Sequence, residues 1–255
     1  MELQTLEDFL SNEISKGPHA KKGKIDYLYQ SFENVYNFFT ILLLDNPKFK
    51  LLCVPQFNVK FSNYIVRAAI AIETKKEQYW IADKTYSAIH KCMKNPEVRF
   101  IYISLVISYE VNDTLAHANI IIIDLHEKTI ERFEPYGWSL PHHEFVDYFM
   151  KNICRSKLGL HNFKYMSPQR ISEKIGVQTR ADSYNGMCIT ISMLYLHLRL
   201  LNPNIGSKKI VKYLLSISDD KLKILILKYA KYIEEKLNQN YKLVNSLNNE
   251  LYIQH

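Results

Sequence analysis

No stretch of this 255-residue chain approaches the ~20 consecutive apolar residues that a membrane-spanning helix needs, so a membrane is not an expected partner. The opening residues Met1, Glu2, Leu3 and Gln4 lack the charged-then-apolar pattern of a secretory signal, and an intracellular location is expected. Cysteine is scarce. Cys53, Cys92, Cys154 and Cys188 are scattered without any Cys-x-x-Cys pair, so neither a zinc site nor a disulfide framework is signalled, and at least one thiol is free to react. Glycine is scarce as well, with 7 residues, and there is no internal repeat or low-complexity tract. No metal or cofactor is expected.

What is present is a globular composition. Hydrophobic residues make up 47% and charged residues 23%, with 18 Tyr and 12 Phe, enough to bury a large core within one domain. The net charge of +7 permits an anionic partner through long-range steering. Lys and Arg are nevertheless spread along the chain, and the one compact run, His19 to Lys24, reads as a solvated linker, so nucleic acid is not an expected partner.

Periodicity divides the chain into residues 1–95, a helical N-terminal extension with the start of the main domain, residues 96–203, the core of that domain, and residues 204–255, a C-terminal helical segment. Thr5 can cap a short helix, and Asp26 to Leu44 carries apolar residues at helical spacing. Strand character is expected around Leu51 to Val54, and helices around Asn63 to Thr74 and Thr85 to Met93. Phe100 to Tyr109, His117 to Asp124 and Thr129 to Phe133 are dense in Ile, Val, Phe and Tyr and read as three consecutive strands. The run Ile120 to Ile123 is apolar on both faces, as in a central strand covered on both sides. A helix from Pro141 to about Ser156, a short strand at Asn162 to Met166 and a long irregular loop, Ser167 to Asn185, follow. A strongly apolar helix then spans Gly186 to Leu201, and helices at Ser207 to Ser216 and Asp219 to Leu237 precede a fraying tail.

Cysteine peptidase chemistry requires a thiolate, a histidine to exchange its proton, an acceptor to orient that histidine and donors for the oxyanion. Cys188 stands at the first turn of the apolar helix, where the helix dipole and backbone N–H groups favour a thiolate. His117 opens one strand and Glu134 ends the next, so a tight hairpin around Leu125 to Lys128 would set them on neighbouring strands. Asp124 competes as the acid. It lies seven residues from His117, an odd offset that turns it to the other sheet face, and it reads as a turn residue. Trp80, Trp138, Cys53, Cys92 and Cys154 read as core or surface residues.

Three segments carry a resemblance: His117 to Leu125, Lys128 to Glu134, and Asn185-Gly186-Met187-Cys188. In order and spacing they resemble the catalytic half of the ubiquitin-like-protein-specific cysteine proteases, the SUMO or sentrin group of clan CE, over roughly residues 99 to 203. Arg132 to Gly137 and Gly186 to Pro203 look most like the proteases of giant nucleocytoplasmic DNA viruses. The chain departs from the group in three places. Glu134 stands where Asp is usual, Ala118 replaces the Trp that follows the histidine, and Asp182 holds the usual position of the oxyanion glutamine, six residues before the cysteine. Gln178, ten residues before it, is the other oxyanion candidate.

The resemblance implies an α+β fold of the papain-like or adenain-like kind, with a central mixed sheet packed against a buried helix that carries the cysteine. It implies a Cys188, His117 and Glu134 triad acting on ubiquitin, a ubiquitin-like modifier or a viral precursor protein, in the host cytoplasm or the virion if the chain is viral. Two alternatives use the same residues differently. One is a YopJ-like acetyltransferase with the same triad, and the other is a catalytically inactive protein that only binds a modifier.

Overall fold

A computed structural model describes residues 31–61, 64–108, 117–140, 143–181 and 187–253. The helix expected at Thr5, the basic run at His19 and the oxyanion candidate Asp182 lie outside these residues. The fold is a mixed α+β arrangement built on one large sheet. Its strands are β1 (Leu52–Cys53), β4 (Ile70–Glu73), β5 (Gln78–Ile81), β6 (Phe100–Ser108), β7 (His117–Asp124), β8 (Thr129–Phe133) and β9 (Lys164–Met166), while β2 (Val59–Phe61) and β3 (Tyr64–Val66) form a separate hairpin. The order is β5-β4-β6-β7-β8-β9, and β1 shares the outer edge of β6 with β4. β1 pairs in parallel with the start of β6, and β4 in parallel with its end. β6, β7 and β8 are successive antiparallel neighbours, and β9 runs parallel to β8.

The isoleucine run explains why β7 is central. Ile120 and Ile122 join Phe100, Tyr102 and Phe133 in a core covered by helices, whereas Ile121 and Ile123 join Ile101, Ile103, Ile130 and Phe149 in a second core on the opposite face. Side chains alternate across a strand, so four consecutive isoleucines fill both layers, each contributing about 1.5–3 kcal/mol of burial. The first layer is made by α1 (Phe32–Asp45), α7 (Cys188–Leu201), α8 (Ser207–Ser216) and α9 (Asp219–Gln239). The second includes α2 (Thr85–Met93) and α3 (His143–Tyr148), which passes through a π-helical turn (Phe149–Cys154) into α4 (Arg155–Lys157). Ser31 caps α1, its Oγ accepting the Asn34 N–H at 3.2 Å. Ser218 occupies the N-cap position of α9, but its side chain makes no capping bond.

Most element expectations hold, and four are corrected. The helix expected over Asn63 to Thr74 is instead β3 and β4. Ile70, Ala71 and Ile72 are compatible with either helix or strand, and pairing with β6 on one side and β5 on the other decides for strand. The irregular loop holds two short helices, α5 (Pro168–Ile171) and α6 (Val177–Ala181). The tail does not fray but forms α10 (Tyr241–Ile253), tied to α1 where Asn37 Nδ2 donates to Asn248 Oδ1 at 3.0 Å. Finally, Cys53 and Cys92 form a disulfide, with Cα atoms 6.0 Å apart. Thirty-nine residues separate them, and only the packing of α2 near β1 brings them together.

Candidate active site

The site begins with a turn. Asp124 Oδ1 accepts the N–H groups of His126 and Glu127 at 3.0 and 3.1 Å, and Lys128 closes the turn at φ 52°. The Asp124 carboxylate is held in turn by Arg99 and by Arg199, which reaches from α7 and also grips Glu131. This anchored turn sets the register that pairs Ile120 with Phe133. Counting back along β7 and on past β8 brings residues 117 and 134 to the same end of the sheet.

There the His117 Nε2 is hydrogen-bonded to Glu134 Oε1 at 2.5 Å, and the Cys188 side chain is hydrogen-bonded to the same imidazole. The three residues are thus brought together from the start of β7, the residue after β8 and the first turn of α7. His117 is 8% exposed and Glu134 fully buried, while Cys188 retains partial access to solvent. Burial alone would push the His117 pKa down, but the Glu134 carboxylate and the hydrogen bonds to Cys188 and Glu134 outweigh it and hold the imidazole well above its usual value. Burial would likewise raise Glu134, but His117, Arg132 and the Tyr136 N–H hold it below the usual carboxylate range. Chemically the arrangement is a thiol beside a protonated imidazole with a buried carboxylate behind it.

A layer of polar side chains fixes the carboxylate. Glu134 Oε1 also accepts the Tyr136 N–H at 3.0 Å, and Oε2 accepts from Asn119 Nδ2 at 2.9 Å. Asn119 Oδ1 accepts from Arg132 Nη1 at 2.9 Å, and the fully buried Arg132 donates onward to Tyr165 Oη, Asp147 Oδ1 and His143 Nδ1, each at 3.0 Å. His143 stays below the usual imidazole pKa through burial and the Arg132 charge, which suits it to accept. Sequence reasoning missed Asn119, Arg132, Asp147 and Tyr165. The first two carried a usable signal, because Asn119 follows His117 by two and Arg132 precedes Glu134 by two, so each shares its neighbour's sheet face. Asp147 and Tyr165 come from distant elements and carried none.

The segment after the acid is locked to the segment leading toward the cysteine. The Tyr136 carbonyl accepts the Gly176 N–H at 2.9 Å, and the Pro135 carbonyl accepts the Gln178 N–H at 2.8 Å. The Tyr136 ring lies 5.0 Å from the His117 ring, tilted by 43°. Two glycines permit this contact. A Cβ on Gly176 would fall 2.1 Å from the Gly137 nitrogen, and Gly137 itself has φ 89°. Gly176→Ala must therefore separate the two segments, and it is expected to lower the thermal midpoint by several degrees and to cut activity together with it, checked by scanning fluorimetry beside peptidase rates. Arg180 anchors the same segment by donating to the Leu215 and Ile217 carbonyls and to Asp219.

Gln178 is 1% exposed, and its side chain lies with Ala181, Met187, Ile191, Lys223 and Ile226 around a hollow without room for a water molecule, where its Oε1 makes no hydrogen bond. Cys188 is not among the residues lining that hollow. Trp138 is half-buried, with its N–H on the Glu173 carbonyl at 3.4 Å. Cys154 is buried at the end of the π-helical turn, and burial pushes its thiol up to about 12. Among the described residues no three His, Cys, Asp or Glu side chains are placed to hold a metal ion, and no helix is long and apolar enough to cross a membrane.

No protein-family model matches the chain, and no curated protein matches it in sequence. Among solved structures it is similar to the Chlamydia trachomatis effector protein ChlaDUB1, at 9% identity and a TM-score of 0.42, over 85% of this chain and 74% of that one. It is also similar to the Chlamydia trachomatis effector protein Cdu1 in its complex with ubiquitin, at 9% identity and a TM-score of 0.41, over 86% of this chain and 82% of that one.

Proposed function

We propose that the chain is a cysteine peptidase of the papain-like or adenain-like fold that cleaves peptide or isopeptide bonds, with ubiquitin or a ubiquitin-like modifier as its substrate class. The observation that carries this reading is the contact of His117 with both Cys188 and Glu134. A buried carboxylate that holds an imidazole protonated beside a partly accessible thiol at a helix start suits it to form a thiolate–imidazolium pair. The thiolate attacks the carbonyl carbon, and the tetrahedral oxyanion collapses with expulsion of the amine, which takes its proton from His117. Water, activated by the neutral His117, then attacks the thioester and releases the carboxylate and the Cys188 thiol. Glu134 does not exchange protons in this scheme; it fixes the ring and balances its charge. The substrate class rests on the resemblance of the His117, Lys128 and Asn185 segments to the modifier proteases of clan CE.

The test is covalent labelling of the purified protein by ubiquitin, SUMO and NEDD8 carrying C-terminal electrophiles. The expected result is an adduct with one of these modifiers that is absent in Cys188→Ala. If a small thiol-reactive electrophile labels Cys188 but no modifier does, the substrate is a different protein, such as a viral precursor, or the chemistry is acetyl transfer. A Cys188 inert to both would make the chain a binding protein and overturn the reading.

A further inference from the structure

The polar layer behind Glu134 ends on α3 in a contact that fixes a protonation state. Arg132 Nη2 lies 3.0 Å from His143 Nδ1 and 3.0 Å from Asp147 Oδ1. A guanidinium nitrogen donates and does not accept, so His143 Nδ1 must be the acceptor and must carry no proton. The proton of the neutral ring then sits on Nε2, and the hydrogen bond between His143 and the Gly137 backbone suits that tautomer. His143 and Asp147 are four residues apart on α3, one turn along the same face, and together they take the two N–H groups of Nη2. His143 thereby touches both supports of the Glu134 carboxylate. Arg132 holds Asn119, which donates to Glu134 Oε2, and Gly137 follows Tyr136, whose N–H holds Glu134 Oε1.

A proton on Nδ1 breaks this arrangement. It replaces the lone pair that accepts from Arg132 with a second donor, sets one cation against another beside a buried guanidinium, and lets His143 compete with Arg132 for Asp147. Among the described residues the charged groups acting on the half-buried His143 are Arg132, Glu134 and Asp147. Tyr165 of β9, kept neutral by burial, donates to Asp147 Oδ1 at 2.6 Å. Burial and the Arg132 charge outweigh the two carboxylates and hold the His143 pKa below the usual imidazole value. Contacts that disfavour a proton are themselves disfavoured once it binds, so the change comes as pH falls below about 6.5 and through that lowered value. We infer that His143 is a pH-sensing positioning residue, resting on the peptidase reading: neutral, it keeps Arg132 behind Glu134, and protonated, it displaces Arg132 and loosens the hold of Glu134 on His117. The acid limb of the activity profile then records two protonations, one on the reacting pair and one on His143.

The experiment measures kcat/KM against pH for the full chain on ubiquitin, SUMO and NEDD8 carrying a C-terminal fluorogenic amide. Wild type is compared with His143→Asn and His143→Leu at pH values where thermal midpoints show each protein folded. Asn sets an oxygen near the place of Nδ1 that accepts from Arg132 but takes up no proton, whereas Leu offers no acceptor. The expected wild-type limb is steeper than the roughly tenfold per pH unit that one proton allows, and both variants fall back to that one-proton slope. At neutral pH His143→Leu should be about tenfold slower than His143→Asn, the worth of one hydrogen bond to a charged group. A one-proton limb in wild type, or an equally steep limb in His143→Asn, overturns the role and leaves the peptidase reading standing. Should neither variant fold, NMR of the wild type decides, because the His143 ring and the Arg132 Nε–H must shift with a common midpoint, and separate midpoints overturn the role. If no modifier is cleaved but iodoacetamide labels Cys188, the labelling rate replaces kcat/KM in the same comparison. A Cys188 inert to both removes the peptidase reading and this role with it.

Discussion

His117→Ala should reduce kcat/KM by about 10⁴-fold or more at neutral pH, and a double variant with Cys188→Ala should be scarcely worse than either change alone. Residues that act as one proton-transfer unit lose their function together, so their effects do not add. Glu134→Gln separates positioning from proton transfer. Glutamine can still accept from His117 Nε2, but it removes the negative charge that, with the hydrogen bonds to Cys188 and Glu134, offsets the cost of burying the imidazolium. The His117 pKa is raised in the wild type, so the imidazolium survives through neutral pH and is lost as pH climbs through that raised value. Taking the carboxylate away lowers the value, and the alkaline limb of the kcat/KM profile should move to lower pH in Glu134→Gln. A profile that keeps its alkaline limb while the rate falls would mean that Glu134 serves the fold and not the histidine.

The same pair sets a stability window. The raised His117 contributes stability that is fully present below the unfolded imidazole value of about 6.5 and declines as pH rises toward its folded value. The depressed Glu134 contributes stability that is present above about pH 4.3 and is lost as pH falls toward its lower folded value. Thermal midpoints recorded against pH should therefore fall on both sides of this window, and more gently in Glu134→Gln.

Arg132→Met should be the most damaging single change away from the thiol and imidazole. Arg132 is fully buried, and its guanidinium is shared among Asn119, Tyr165, Asp147 and His143, with Glu134 Oε2 at 3.7 Å. Methionine matches the stem but supplies no charge or donor, leaving the Glu134 carboxylate and Asn119 Oδ1 in a dry interior without their partner. Breaking a buried pair in this way costs roughly 3–5 kcal/mol, which for a chain of this length is about 10 °C in thermal midpoint. Calorimetry would read it directly. A loss of only one or two degrees would show that water replaces the guanidinium and that the network is less dry than its burial indicates.

Much of the fold was legible in the residues because local patterns coincide with the tertiary answer. Thr85–Met93, His117–Asp124, Thr129–Phe133 and Ser207–Ser216 form the expected elements with the expected limits. In the two helices the hydrophobic period agrees with the face that becomes buried, and in the two strands a density of Ile and Phe between turn residues marks the element although β7 is buried on both faces. Ile70 to Glu73 failed this condition, since a short apolar run buried on every side has no period to read, and only its two strand partners settle what it is. The disulfide partners were invisible for a related reason, because scattered cysteines have no local pattern and meet only through the packing of α2.

For the site, the sequence by itself determined the residue types, their order and the seventeen-residue interval between His117 and Glu134. A tight hairpin converts that interval into a cross-strand contact whatever surrounds it, because strand geometry is local and fixed by hydrogen bonding. Tertiary structure alone decided the rest: that α7 delivers Cys188 to His117, that Tyr136 covers the ring, that Gly137 and Gly176 touch, and that Arg132 finds Asp147 and Tyr165. Those contacts join residues distant in the chain. Their energy comes from removing water around charges and rings, and that depends on what encloses them and not on what adjoins them in sequence.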